Sequence, residues 1–151
     1  MDGFENFVRE VEPKLRHALV ATYGAARGRE AVAEALAWAW EHWDRMDGID
    51  NPVGYLYRVG QSRTRAFLGR GARLAFPLPA DVGLPWVEPG LAPALASLSE
   101  QQRVCVVLVH GMEWTLSEVA ALLGIAKTSV QNHLDRGLAR LRHKMEVACR
   151  G

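Results

Sequence analysis

Apolar residues at Phe4, Phe7, Val8, Val11, Leu15, Ala18 and Leu19 recur at three- and four-residue spacing, the stripe of an amphipathic helix, and GAARG (24–28) breaks it. A second stripe at Val32, Ala35, Leu36, Ala39, Trp40 and Trp43 puts Trp38 on another side, as a candidate exposed aromatic. After DGIDNP (47–52), Asp50 or Asn51 can cap a third helix whose first turn tolerates Pro52, because no hydrogen bond is lost there. Val53, Leu56, Val59 or Gly60, Arg63 and Phe67 run along it. From Gly69 to Ala96 the texture changes to a linker with prolines at 77, 79, 85, 89 and 93. Its apolar residues, Phe76, Leu78, Val82, Leu84, Trp86 and Val87, suit a segment that lies on a surface.

Helical patterning restarts at Ser99. Ser99 with Gln102, and Thr115 with Glu118, have the spacing of capping boxes. The first opens a stripe of Val104, Val107 and Leu108, with Gly111 as a further position; the second opens a short helix through Val119, Leu122 and Leu123. Gly124 supplies a left-handed stop, Ile125 returns to the core, and Val130, Leu134, Leu138, Leu141 and Met145 mark a final helix of about five turns. The pattern predicts an all-α protein of two small helical domains, 1–70 and 97–151, joined by a Pro/Gly-rich linker over 71–96.

The last two predicted helices form a helix-turn-helix. Ala120 and Ala121 permit close crossing, Gly124 makes the turn, and Ile125 and Val130 set the angle so that the next helix faces outward with its first half. That half carries Lys127, Thr128, Ser129, Gln131, Asn132, His133 and Arg136, the side-chain types that read base edges, while Arg136, Arg140, Arg142 and Lys144 can meet phosphates.

Composition and charge test that reading. A chain of 151 residues, 49% hydrophobic and 23% charged, is globular, yet its formal net charge of +1 argues against a strongly basic nucleic-acid binder. The total hides segregation: residues 1–57 carry a net −4, 58–73 a net +5 with no acid, 74–100 a net −3, and 101–151 a net +3. Two basic regions, each after an acidic one, fit two nucleic-acid contacts beside an acidic surface for another partner. Cys105 and Cys149, far apart, give neither a disulfide framework nor a zinc site, even with His110 near the first. His17, His42, His110, His133 and His143 are scattered, no Ser/His/acid or Cys/His grouping is local and no Gly-rich phosphate loop follows a strand, so no catalytic site, metal or cofactor is expected. Met1–Arg9 lacks the character of a signal peptide, and the runs ALAWAW and VCVVLV are far short of the roughly 18 apolar residues that span a bilayer, so no membrane role and a reducing cytoplasm are expected.

At this point the sequence resembles a known family. LSEQQRVCVVLVHGMEWTLSEVAALLGIAKTSVQNHLDRGLARLR (98–142) is similar to region 4 of bacterial extracytoplasmic-function (ECF) RNA polymerase sigma factors, which recognises the −35 promoter element. FENFVREVEPKLR (4–16), AEALAWAWEHWDR (33–45) and NPVGYLYRVGQSRTRAFLGR (51–70) are similar, in order and spacing, to region 2, which binds the polymerase clamp and the −10 element. The resemblance implies a non-enzymatic factor that carries core polymerase to promoters and helps to open them. It implies −35 contacts by Lys127, Thr128, Ser129, Gln131, Asn132, His133, Arg136 and Arg140, and −10 contacts by Tyr55, Arg58, Ser62, Arg63, Arg65 and Arg70. Glu30, Glu34, Trp38 and Glu41 would meet the β′ clamp helices, the second domain the β flap, and the linker the active-site and RNA-exit channels. An anti-sigma factor is a further implied partner, and the free protein is expected to be a monomer.

Several positions depart from the family pattern. Ala33 stands at a usual Gln, Trp38 at a polar or basic position, Tyr55 at a usual Trp, Ser62 at a usual Asn, Ala66 at a usual Asp, and Ala126 at the usual Ser cap of the recognition helix. Trp38 either enlarges the apolar contact with polymerase or packs on the linker, and either Tyr55 or Tyr57 could stack on a base. Two other readings remain. TSVQNHL (128–134) also suits a stand-alone regulator of the LuxR-like kind, and the region 2 departures suit a polymerase-binding protein that does not itself initiate.

Overall fold

α1 (Asp2–Tyr23) and α2 (Ala25–Glu41) form an antiparallel pair in the computed structural model, which describes residues 2–68 and 90–150. α1 buries Val11, Leu15, Ala18 and Leu19 and runs through Pro13, which sits on its exposed side. The expected break over 24–28 narrows to Gly24 alone, at φ 86, and helix resumes at Ala25. Gly28 lies inside α2 because the pair crosses there: an added Cβ would stand 2.7 Å from the Val20 backbone.

The buried face of α2 is Gly28, Ala31, Val32, Ala35 and Ala39. Those small residues let α1 approach closely, and they turn the helix away from the expected orientation. Trp40, expected in the core stripe, is 48% exposed, whereas Trp38, expected to be exposed, is half-buried. α2 ends at Glu41, so Trp43 belongs to a separate turn, α3 (Trp43–Met46), where it meets Phe4 and Phe7 edge-on at 5.3 and 5.2 Å. Trp40 covers the outer edge of Phe4 at 4.9 Å.

Asn51 is the cap of α4 (Pro52–Leu68): its Oδ1 accepts the Gly54 N–H at 3.2 Å. α4 buries Leu56 and Tyr57, and the Tyr57 hydroxyl lies 2.7 Å from Thr22 Oγ1 of α1. Burial raises the Tyr57 pKa well above its ordinary value.

Residues 91–96, expected as linker, form α5 (Leu91–Ser97) together with the first residue of the expected second domain. Pro93 is harmless in its first turn, and Ala94 packs into the core. The remainder of the expected linker, 69–89, lies outside the described residues. α6 (Glu100–Val106) carries the Ser99/Gln102 capping box and continues into a π-helical turn, Val107–Gly111. After it come α7 (Leu116–Leu123) and α8 (Lys127–Arg150). No strand occurs among the described residues, and no helix there is long and apolar enough to cross a membrane.

The two groups of helices pack on each other. α1 lies against α6 and the π-helical turn, α4 lies against α7, and one continuous core joins Leu15, Leu19 and Leu56 to Val104, Leu108 and Val119. Cys105, fully buried in this core, is inert, with its thiol pKa pushed up to about 11 by burial.

Because Gly28 sits against Val20 backbone that no side-chain rotation can move, Gly28→Ala must push α1 and α2 apart. A loss of about 1–3 kcal/mol is expected, read as a lower midpoint in thermal or urea unfolding.

Candidate nucleic-acid interface

The helix-turn-helix is built by its caps. Thr115 Oγ1 accepts the Glu118 N–H, and Glu118 Oε1 accepts the Thr115 N–H, both at 3.1 Å, which starts α7 at Leu116. Gly124, at φ 68, ends it and donates its N–H to Ala120 O, as does Ile125. α8 then begins at Lys127, with the Val130 N–H bonded to Ala126 O. Val130 and Leu134 are buried. That choice of inward side leaves Lys127, Thr128, Gln131, Asn132, Arg136 and Arg140 exposed along one solvent face. Ser129 and His133 are half-buried at its flanks, so they are less accessible to a groove than expected. Gln131 Nε2 is held on the helix by Asp135 Oδ1 at 2.8 Å.

The second basic region is the outer face of α4. Tyr55, Arg58, Ser62, Arg63, Arg65 and Ala66 are all exposed, and none of Arg58, Arg63 and Arg65 makes an ion pair among the described residues. Tyr57 is removed as a base-stacking candidate because it is sealed in the core on Thr22; Tyr55, at 38% exposure, remains. Arg70 lies outside the described residues. On α2, Glu30, Glu34 and Glu41 are exposed on one face together with Ala33, Ala37 and Trp40. Trp38 departs from this group: it shares a groove of about 330 Å³ with Tyr55, Arg58, Val59, Ser62 and Arg63 of α4.

Polar contacts hold the two halves together at a seam that the sequence did not announce. Arg103, buried on α6, donates from Nε to Ala21 O at 3.3 Å and from Nη2 to Thr22 O at 2.9 Å. A guanidinium from the second half thereby caps the carbonyl end of α1, where a cation is favoured. Asn51, besides capping α4, donates from Nδ2 to Ala121 O at 2.9 Å. Lys14 pairs with Glu118 and lies 4.5 Å from the centre of the Trp114 ring, and Trp114 Nε1–H points at His17 Nδ1 at 3.3 Å. The hydrogen bond from Lys14, then that from the Thr115 N–H, holds the Glu118 carboxyl below its ordinary pKa. Burial, with Arg16 and Lys14 nearby, lowers that of His17. The same closure brings Arg58 and Arg65 to a pocket that also holds Glu100 and Gln101.

Among the described residues no group of histidine, cysteine and carboxylate side chains is placed to hold a metal ion. The signals for Arg103 and Trp114 were weak, because their partners lie 82 and 97 residues away. An arginine beside the Val104/Leu108 stripe was the visible hint.

Residues 94–143 match the family model described as sigma-70, region 4. The chain is 27% identical over 140 residues to the ECF RNA polymerase sigma factor SigL of Mycobacterium tuberculosis, covering 84% of this chain and 79% of that protein. It is 41% identical over 57 residues to the RNA polymerase sigma-E factor of Streptomyces antibioticus, covering 38% of this chain and 32% of that protein. Its fold is similar to that of the sigma factor RpoE from Bartonella quintana, solved in complex with the anti-sigma factor NepR. The TM-score is 0.67 at 20% identity, over 97% of this chain and 99% of that one.

The seam should weaken in acid. His17 accepts from Trp114 only while Nδ1 is unprotonated, and its pKa is depressed in the folded chain, so its contribution is present above the ordinary value of 6.5 and is lost as pH falls through the folded value. Glu118 acts in the same direction at lower pH, below its ordinary 4.5. Amide exchange across residues 98–114, corrected for intrinsic rate, is expected to rise between pH 7.5 and 5. His17→Gln should flatten that first step; an unchanged step would remove His17 from the seam.

Proposed function

We infer that this chain, a member of the ECF-type RNA polymerase sigma factors, binds core RNA polymerase, directs it to promoters and assists DNA opening. The observation that carries the reading is the pairing, in one chain, of a helix-turn-helix whose reading face is in solvent with a second, separate arginine-bearing face on α4. The roles follow from the chemistry of each face. Lys127, Thr128, Gln131, Asn132 and Arg136 suit the −35 major groove, where amides and guanidiniums discriminate base edges, and Arg140 suits the flanking phosphate. Ser129 and His133 serve at the edge of that contact. Arg58, Arg63 and Arg65 suit the phosphates of an opened −10 strand, which must recover the few kcal/mol lost per unstacked step. Glu30, Glu34 and Glu41, joined by exposed Trp40, offer the β′ clamp an acidic face with an aromatic anchor. The protein performs no chemistry of its own; it works in the cytoplasm by binding.

The two helical groups act as units, residues 1–70 on the −10 side and 97–151 on the −35 side, and they must separate to do so. The two elements are centred roughly 25 base pairs apart, about 85 Å along B-DNA. A compact chain of this length has a radius of gyration of about 15 Å, so the closed arrangement reaches one element at a time. The seam combines buried apolar contacts with hydrogen bonds and one ion pair; its polar groups regain water when it opens, and the apolar faces then bared call for cover by polymerase. Polymerase is the agent that holds the halves apart, and linking two weak DNA contacts on one scaffold raises their joint occupancy.

The reading face of α8 remains in solvent while the halves are packed, an exposure that would also serve a stand-alone regulator. Co-purification separates the two: a sigma factor travels with core enzyme, whereas the LuxR-like alternative binds duplex DNA without it.

Run-off transcription with purified core enzyme should yield transcripts from a subset of a genomic promoter pool; no stimulation of any promoter would refute initiation. Arg63→Ala with Arg65→Ala should cut open-complex yield far more than −35 duplex binding, and should reduce the slope of log K against log salt by about 1.4 for the opened strand. Equal losses in both assays would refute the −10 assignment.

A further inference from the structure

We propose that Trp38, with His42 behind it, is a stacking platform for an unpaired nucleotide of the opened promoter strand rather than part of the polymerase-docking face. The proposal rests on the reading of α4 as the −10 face and names the ligand chemistry of its groove. Trp38 leaves α2 toward α4, and its neighbours there are Tyr55, Arg58, Val59, Ser62 and Arg63, which with it enclose about 330 Å³ of open groove. An aromatic floor, a hydroxyl and two guanidiniums with no carboxylate among them is the composition of a single-strand site: the rings take a base face, the arginines its phosphates. The face of α2 read as docking polymerase is acidic, with Glu30, Glu34 and Glu41, whereas this groove carries two guanidiniums.

Trp38 is already fixed in place. The His42 ring stacks on it at 4.3 Å and 16° between planes, and both the His42 backbone N–H and His42 Nδ1 lie within hydrogen-bond distance of Trp38 O, at 3.0 and 2.9 Å. This clamp forms where α2 stops, with His42 as its C-terminal cap. A ring immobilised in advance loses little rotamer freedom when a base arrives. Tyr55 does not satisfy Trp38 by stacking, since its ring is tilted by 42° at 5.4 Å. The tilted pair gives the groove two aromatic walls, set at 42° to each other.

The test uses holoenzyme assembled from core polymerase and the full chain, titrated with a fluorescein-labelled mixed-sequence oligodeoxynucleotide and with an abasic strand of equal length. Trp38→Ala should weaken the base-bearing strand by about five- to a hundredfold and leave the abasic strand unchanged, and Trp38→Phe should recover most of the loss. His42→Ala should give a smaller loss of the same kind. Because both strands are read on the same preparation, partial unfolding lowers both and cancels in their ratio. Equal loss on the two strands, or loss of core binding in place of strand binding, would overturn the proposal and return Trp38 to polymerase docking. Failure of the underlying reading is distinguishable: Arg58→Ala with Arg63→Ala would then leave both strands held as tightly as by the unaltered chain.

Discussion

The guanidinium of Arg103, sealed between the two halves, is the interaction from which the arrangement follows. A buried cation must find acceptors, and besides Leu98 O in its own half Arg103 takes the carbonyls at the end of α1, at Ala21 and Thr22. Satisfying both sets α6 across the end of α1, and the rest of the seam follows from that placement. Trp114 meets His17, Lys14 meets Glu118, and α7 comes to α4, where Asn51 binds Ala121. Burial lowers the Arg103 pKa, yet hydrogen bonds to a charged group, worth roughly 1.5–3 kcal/mol each, sustain the cation.

Such a seam joins apolar burial to directional polar contacts. Its directional bonds are satisfied in the closed state and are equally satisfiable by water in an open one. Several of its side chains also serve within their own half: Glu118 completes the cap of α7, and Asn51 caps α4. Each half can therefore keep its helices when the seam is broken. The surfaces proposed to engage promoter and polymerase are divided by the same closure. The reading face of α8 stays free, while Arg58 and Arg65 are drawn toward Glu100 and Gln101. Closure thus bears more on the basic face of α4 than on that of α8.

Small residues decide what the first half presents. Gly28, Ala31, Ala35 and Ala39 let α1 and α2 close to near backbone contact, and that rotation brings Trp40 out and turns Trp38 toward α4. The nearly neutral total charge has the same kind of explanation. Acidic positions gather on the outer face of α2 and basic ones on α4 and α8, so the sum conceals surfaces of opposite sign.

Local rules made much of this protein legible from its residues. The helices around Leu15, Leu56 and Val130, both capping boxes, the glycine turn at Gly124 and the exposed reading positions of α8 all rest on interactions spanning a few residues, which periodicity and cap chemistry encode directly. The helix over 91–97 was hidden because Pro89 before it and Pro93 within it read as linker, and Pro93 is tolerated only by virtue of its place in the first turn. The orientation of Trp38 and Trp40, the burial of Tyr57 and the role of Arg103 were settled by tertiary structure alone. Each depends on a partner that the helical period cannot see: the close approach of Val20 to Gly28, Thr22 to Tyr57, the α1 carbonyls to Arg103. Sequence determined most of the helices and the chemistry of the proposed DNA-reading faces; only the packing of one half on the other decided which of those faces are free.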